Sequence, residues 1–409
     1  MSPVRLRRLL LPLIPLYRLA LAVREFGLRN GLEPVRRLSF PVVSIGNLST
    51  GGSGKTPLTI ALAKALIARG LRVDVLTRGY GRRSQLPTRV NPEGSAEEFG
   101  DEPLLIAREA GVPVFVAARR YDAGLLAEAG QAITEEATGL VGQGFSPGTE
   151  PAESTRALLI PAKEISCTVP TGLRSSHVES AFPTLKRGAN EHCASGAAAR
   201  TFHMQRSIAP EVCLHLLDDG FQHRQLARDV EILLLDSRDW QDGLLPAGNL
   251  REPLKAIRRA SIIAIPADET DLEAELRAWG WQGPVWRLSR KMEVPAADGP
   301  VAAFCGIARP KQFFAGLEAA GLRLAYRTAF PDHFAYTRAS LEELLAKARA
   351  AGAAALVTTE KDLVRMGKLA AAFPKSMPLL AAKLRIEIED QDAALDWLID
   401  RLSTARESQ

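Results

Sequence analysis

The chain has 409 residues, enough for two or three domains, and its 46% hydrophobic and 24% charged content is that of an ordinary globular protein. Its four cysteines, Cys167, Cys193, Cys213 and Cys305, show no C-x-x-C spacing, which excludes a disulfide framework or a zinc ribbon and fits a reducing compartment. The net charge of +5 is local: residues 1–37 carry eight Arg and two Glu, so the remainder is close to neutral. A nucleic-acid-binding face would spread its basic residues among aromatics, so nucleic acid is not an expected partner. A basic amino-terminal segment points instead to an anionic membrane surface.

Residues 4–24 place Leu6, Leu9, Leu13, Leu16, Ala20 and Val23 at helical spacing, with Arg7, Arg8 and Arg18 toward the other face. The longest uncharged run, Leu9 to Tyr17, is far shorter than the roughly twenty residues a spanning helix needs. The segment reads as a kinked amphipathic helix lying in a membrane interface. A cleaved signal peptide and a plain helix packed on its own domain are the rival readings.

Phe40 to Ile45 reads as a buried strand and Leu58 to Arg69 as a helix. Between them runs Gly46-Asn47-Leu48-Ser49-Thr50-Gly51-Gly52-Ser53-Gly54-Lys55-Thr56-Pro57. Strand, glycine-rich loop, Gly-Lys-Thr and helix make a phosphate-binding loop. Glycines let backbone N–H groups converge on phosphate oxygens, and the helix start adds favourable charge. Ser49, Thr50, Gly51, Gly52, Ser53, Gly54, Lys55 and Thr56 are therefore the expected ATP-binding residues. Lys55 would reach the β- and γ-phosphates and Thr56 would ligate Mg²⁺.

Leu71 to Thr77 is a second strand, ending in Arg78-Gly79-Tyr80-Gly81 on the ligand side of an α/β sheet. Gly100-Asp101-Glu102-Pro103 opens a helix to Ala110, where acidic residues also serve capping and the helix dipole. Val112 to Val116 reads as a strand and Arg119 to Ala129 as a helix. Residues 131–208 then break the rhythm: they lack Trp and Tyr, lack sustained periodicity, and read as a loosely structured insertion. Val212 to Leu217 is an apolar strand running into Asp218-Asp219-Gly220-Phe221-Gln222-His223. A carboxylate at that point holds Mg²⁺ in phosphate-binding-loop enzymes, which nominates Asp218 and Asp219. Further strands at Glu231 to Leu235 and Ser261 to Ile265 flank Leu250-Arg251-Glu252-Pro253. A second alternating block starts near Val285 and contains Phe330-Pro331-Asp332-His333 and Thr359-Glu360-Lys361-Asp362.

The expected fold is α/β: a mainly parallel sheet of the phosphate-binding-loop NTPase type with helices on both faces, a smaller α/β second domain and an amino-terminal amphipathic helix. The expected boundaries are 1–37 for the membrane-associating segment, 38–285 for the kinase domain with 131–208 inserted, and 286–409 for the second domain with a final helix.

Taken together, these stretches resemble the tetraacyldisaccharide 4′-kinase family, the lipid A 4′-kinases. They occur in the family's order and cover nearly the whole chain outside the insertion; Asp-Asp-Gly-Phe-Gln-His is the specific one. Ser49 is ordinary for the family, whereas residues 131–208 look foreign to it. The resemblance implies transfer of the ATP γ-phosphate to the 4′-hydroxyl of a lipid-linked glucosamine disaccharide 1-phosphate, with Mg²⁺, at the cytoplasmic face of the inner membrane as a peripheral protein. It assigns Asp101 as the base for the sugar hydroxyl, supported by His333, with Glu102, His223, Arg251 and Glu252 as further candidates. Arg251 suits a phosphate. A membrane-bound partition or cargo-positioning ATPase is the main alternative. Such proteins place a Lys before the paired glycines, where this chain has Thr50.

Overall fold

The computed structural model describes residues 10–141 and 213–407. Contacts divide the chain into one unit of residues 1–137 and 208–409 and another of residues 138–207; the first carries everything described below except the last turn of the helix that ends at Val141. A 3₁₀ turn at Leu11–Leu13 leads into α1, Ile14–Arg29. Pro12 and Pro15 sit at the starts of these two segments, where a missing N–H costs nothing. One face of α1 carries Ile14, Tyr17 and Leu21 and packs on the core. The opposite face leaves Leu16, Leu19, Val23 and Phe26 exposed. The sequence-based apolar face (Leu13, Leu16, Ala20, Val23) therefore points to solvent while a second face holds the helix on its own domain. No helix among the described residues is long and apolar enough to cross a membrane.

The chain then runs β1 (Val42–Asn47), α2 (Lys55–Ala68), β2 (Arg72–Thr77), β3 (Thr88–Arg89), α3 (Ala96–Phe99), α4 (Asp101–Ala110), β4 (Val114–Val116) and α5 (Arg120–Val141). It resumes with β5 (Cys213–Asp218), β6 (Val230–Leu234), α6 (Ser237–Gln241), β7 (Ile262–Pro266), α7 (Thr270–Ala278) and β8 (Val285–Glu293). The last part is β9 (Val301–Cys305), α8 (Pro310–Ala319), β10 (Leu324–Ala329), α9 (Arg338–Ala350), β11 (Ala355–Thr359), α10 (Glu360–Met366), β12 (Leu379–Ile388) and α11 (Gln391–Glu407). The expected insertion began at residue 131, but α5 continues helical to Val141. The rest of that expectation, 142–208, lies outside the described residues.

All twelve strands form one sheet, ordered β10-β9-β11-β12-β8-β7-β6-β1-β5-β2-β4-β3. Every pairing is parallel except β8 with β12 and β3 with β4. The central strands β1, β5, β6 and β7 are buried along their whole length, as strands covered by helices on both faces must be. On one face α2, α4 and α11 build a core with Leu58, Leu62, Leu66, Leu104, Leu395 and Leu398. The final helix, counted with the second domain from sequence, thus covers the helix that follows the glycine-rich loop. Arg69 at the end of α2 reinforces this contact with ion pairs of 2.6 Å to Asp392 and Asp396.

At the sheet end away from the loop, His215 on β5 is wholly buried beside its register partner Asp74 on β2. Its Nδ1 lies 2.7 Å from Asp74 and its Nε2 3.5 Å from Glu128 of α5. Burial works against the imidazolium, but the two carboxylates outweigh it and raise the His215 pKa to about 9. Glu128 also accepts the backbone N–H groups of Ser39 and Phe40.

Candidate active site

The carboxyl ends of β1, β2 and β5 converge with two segments from the β9–β12 half of the sheet. In the glycine-rich loop, Gly54 at φ 94° precedes the first residue of α2, a conformation that any side chain would strain. The loop is braced from outside by residues 249–251. Thr50 N donates to Asn249 O at 2.8 Å, Arg251 N to Leu48 O at 2.7 Å, and the Arg251 Nε to Ser49 O at 3.0 Å. From the other half, the Arg290 guanidinium donates to Ser53 O at 3.0 Å. The Ser53 hydroxyl is buried without a protein partner, a donor available to a phosphate oxygen.

Lys55 Nζ lies 2.9 Å from Asn47 Oδ1 and 3.4 Å from Asp219 Oδ1. Arg251 reaches Asn47 Oδ1 at 3.0 Å, Gln222 Oε1 at 2.9 Å and Asp219 at 3.4 Å. Two cations therefore share one carboxylate. Burial pushes Asp219 up, but Lys55 and Arg251 bring it down to about 2. Its neighbour Asp218 is wholly buried, accepts the Thr59 hydroxyl at 3.0 Å, and is pushed up to about 7 by burial and the carboxylates of Glu102 and Asp219. Asp219 holds φ 50°, a conformation costly for a non-glycine residue and typical of functional turns. Thr56, Asp218 and Asp219 are hard oxygen donors of the kind Mg²⁺ takes. Among the described residues no group of three or more His, Cys, Asp or Glu could cage a metal alone. Mg²⁺ held by one or two carboxylates and substrate phosphates needs no such cage.

Asp101 opens α4 after Gly100, whose φ of 93° and close approach to Gly79 and Tyr80 leave no room for a Cβ. The Arg78-Gly79-Tyr80-Gly81 turn and the start of α4 are thereby locked together. Asp101 is buried; its Oδ1 accepts Glu102 N at 3.0 Å, and its Oδ2 lies 3.3 Å from His333 Nδ1 and 2.6 Å from the Arg365 guanidinium. Burial opposes ionisation here, yet His333, Lys361 and Arg365 hold the carboxyl well below the usual range. His333 sits at φ 59°, with its backbone N–H on Gly306 O at 3.2 Å and its ring 5.5 Å from that of Tyr80. Its pKa is raised, mainly by the hydrogen bond to Asp101.

Among the remaining candidates, Glu102 pairs with half-buried Lys361. His223 is driven down to about 4 by burial and by Arg120, Arg228, Arg24 and Arg78, so it is neutral at pH 7. Glu252 makes a two-pronged ion pair with Arg259 at 2.6 and 3.1 Å, which occupies it structurally. The sequence reading missed Asn47, Gln222, Lys361 and Arg365. The first two lie inside motifs already singled out, and Lys361 lies inside Thr359-Glu360-Lys361-Asp362; Arg365, one helical turn beyond Lys361, carried no separate signal.

The sequence matches the family LpxK, tetraacyldisaccharide-1-P 4′-kinase, over residues 6–135 and 196–403. The chain belongs to this family. The stretch left unmatched, 136–195, falls within the segment that the sequence sets apart as an insertion. The tetraacyldisaccharide 4′-kinase of Koribacter versatilis is 34% identical over 399 residues, 95% of this chain and 97% of its own. That of Parvibaculum lavamentivorans is 32% identical over 98% of this chain and 94% of its own. The crystal structure of the "apo" form of LpxK from Aquifex aeolicus in complex with ATP aligns with a TM-score of 0.62 and 29% identity, covering 97% of this chain and 99% of that one. The mostly parallel sheet with flanking helices is thus the LpxK fold.

Proposed function

We propose that this tetraacyldisaccharide 4′-kinase homologue transfers the γ-phosphate of ATP to the 4′-hydroxyl of a tetraacyldisaccharide 1-phosphate, in lipid A biosynthesis. The observation that carries the mechanism is the contact of Asp101 with His333, which the fold brings together from opposite halves of the sheet. Asp101 is the acceptor for the sugar hydroxyl proton, and His333 orients it and stabilises its charge. The loop from Ser49 to Thr56 holds the nucleotide phosphates through backbone N–H groups and the Ser53 hydroxyl. Lys55 and Arg251, now sharing Asp219, supply positive charge for the transferred group. Thr56, Asp218 and Asp219 are the residues that would hold Mg²⁺, which when bound neutralises charge on the phosphates.

The same reading places the protein peripherally on the cytoplasmic face of the inner membrane. Its support is the exposed apolar stripe Leu16, Leu19, Val23 and Phe26, flanked by the arginines of the first 37 residues. Such a helix would bring an insoluble acceptor and a soluble nucleotide to one site. Purified protein incubated with labelled ATP, Mg²⁺ and tetraacyldisaccharide 1-phosphate should give a labelled lipid on thin-layer plates. ATP hydrolysis without labelled lipid would reject the assignment.

A further inference from the structure

The Thr359-Glu360-Lys361-Asp362 stretch has no part in the mechanism above, yet the helix it starts reaches across to the proton acceptor. Asp362 is wholly buried and saturated with donors. It accepts Gly306 N at 3.1 Å, the Tyr336 hydroxyl at 3.0 Å and the Thr359 hydroxyl at 2.7 Å. One turn on, the Arg365 guanidinium spans two carboxylates. Its Nη1 donates to Asp362 Oδ1 at 2.8 Å and to Gly306 O at 3.0 Å, and its Nη2 to Asp101 Oδ2 at 2.6 Å. The Gly306 carbonyl that receives Arg365 also receives the backbone N–H of His333. Arg365 therefore touches Asp101 directly and fixes the loop that presents His333.

We infer that Arg365 is a positioning residue for the phosphotransfer reaction: it ties Asp101 to the Asp362 anchor and sets its distance from His333. The inference rests on the kinase reading above. A planar, always charged fork suits this task, since two fixed donor directions orient two carboxylates at once. The charged groups facing Asp101 are Arg365 and Lys361 from α10 and His333 from the loop after β10, while its own helix offers the backbone N–H of Glu102. Of these, Arg365 makes the shortest bond to it among those with a measured contact. Losing it frees Asp101 to turn toward His333 or Lys361 and removes a cation that favours the carboxylate.

The test compares Arg365→Gln, Arg365→Lys, Asp101→Asn and the double variant Asp101→Asn/Arg365→Gln in the lipid phosphotransfer assay, with wild type alongside. Arg365→Gln should lower kcat at least about tenfold, since misplacing a reacting group by an ångström has effects of that order or larger. KM for ATP should stay within about twofold, because the nucleotide is held elsewhere. The acidic limb of its kcat/KM profile should move to higher pH, and Arg365→Lys should recover part of the loss. In the Asp101→Asn background the same substitution should cost almost nothing. If Arg365→Gln fails to fold, Arg365→Lys, which keeps the charge but not the fork, is compared with wild type and within the Asp101→Asn background in its place. A kcat within twofold of wild type, an unmoved pH profile, or an equal loss with and without Asp101 would overturn the inference while leaving the kinase reading intact. Absence of lipid phosphorylation by wild type would overturn both.

Discussion

Lys55 and Asp219 illustrate how few residues separate an ordered site from a disordered one. Lys55→Ala removes the loop cation and leaves Asp219 to Arg251 alone; kcat should fall by a factor of about 10² or more, measured on protein whose melting curve is unchanged. Asp101→Ala and His333→Ala are coupled through the 3.3 Å contact, so the double variant should be hardly slower than Asp101→Ala. Fully additive losses would break the pair. Asp101 also opens α4, so a role in starting that helix alone would cost about 0.5–2 kcal/mol of stability, seen as a lowered melting temperature, with kcat intact. His215 lies far from this chemistry. Its pKa is raised from an unfolded value near 6.5 to about 9, so its stabilisation is complete below the lower value and vanishes as pH rises through the upper. By linkage this is worth about 3 kcal/mol. Urea unfolding at pH 6.5 and pH 10 should show the loss in wild type and a flatter dependence in His215→Gln; identical pH dependences would exclude His215 as its source.

At the scale of elements, α1 turns one face to its own domain and the other to solvent. Its inner face is bonded to the active-site loops: Tyr17 OH donates to Arg251 O at 2.8 Å, and Arg24 to Gln222 O at 2.5 Å. Its outer face is an unbonded apolar stripe. Deleting residues 1–24 would remove both faces together. Leu16→Asp with Val23→Asp touches only the outer face, and should move protein from membrane to soluble fraction while lowering activity on detergent-dispersed acceptor by no more than about twofold. Protein that stays on membranes would locate the attachment elsewhere. The apolar face of this helix was legible from spacing alone, because exposed Leu13, Leu16, Ala20 and Val23 follow helical periodicity. The packed face was not, since Ile14, Tyr17 and Leu21 gain their meaning only from what they meet. The same holds at α10. Thr359 as its cap and the motif after it were readable, but that Arg365 bridges Asp362 to Asp101 depends on a pairing across 264 positions, which no local pattern encodes.

For the whole molecule, strand–helix alternation and the loop motif were enough to read a parallel α/β sheet. Strand order was not, because it is fixed by which helices can cover which faces. The split at residue 285 follows the start of a second alternating block near Val285, and the sheet continues across it through the antiparallel pair β8–β12. The expected insertion is the largest departure from the family, whose match leaves out residues 136–195. Excising 138–207 with a short linker should leave a soluble, active kinase. The Glu128–His215 contact that ties α5 to β5 lies outside the cut. Loss of all soluble protein would show that the segment contributes to the core.

The docking of α11 over α2 bears on the order in which the protein can be made. Leu395 and Leu398 of α11 share one buried core with Leu58, Leu62 and Leu66 of α2, although most of the described chain lies between the two helices. A ribosome-bound chain therefore exposes the apolar side of α2 until α11 has been made, long after the glycine-rich loop has left the ribosome. Chains ending at residue 390 should be cut by protease within α2 more readily than the full-length protein, and equal cleavage would show that α11 adds nothing to that core.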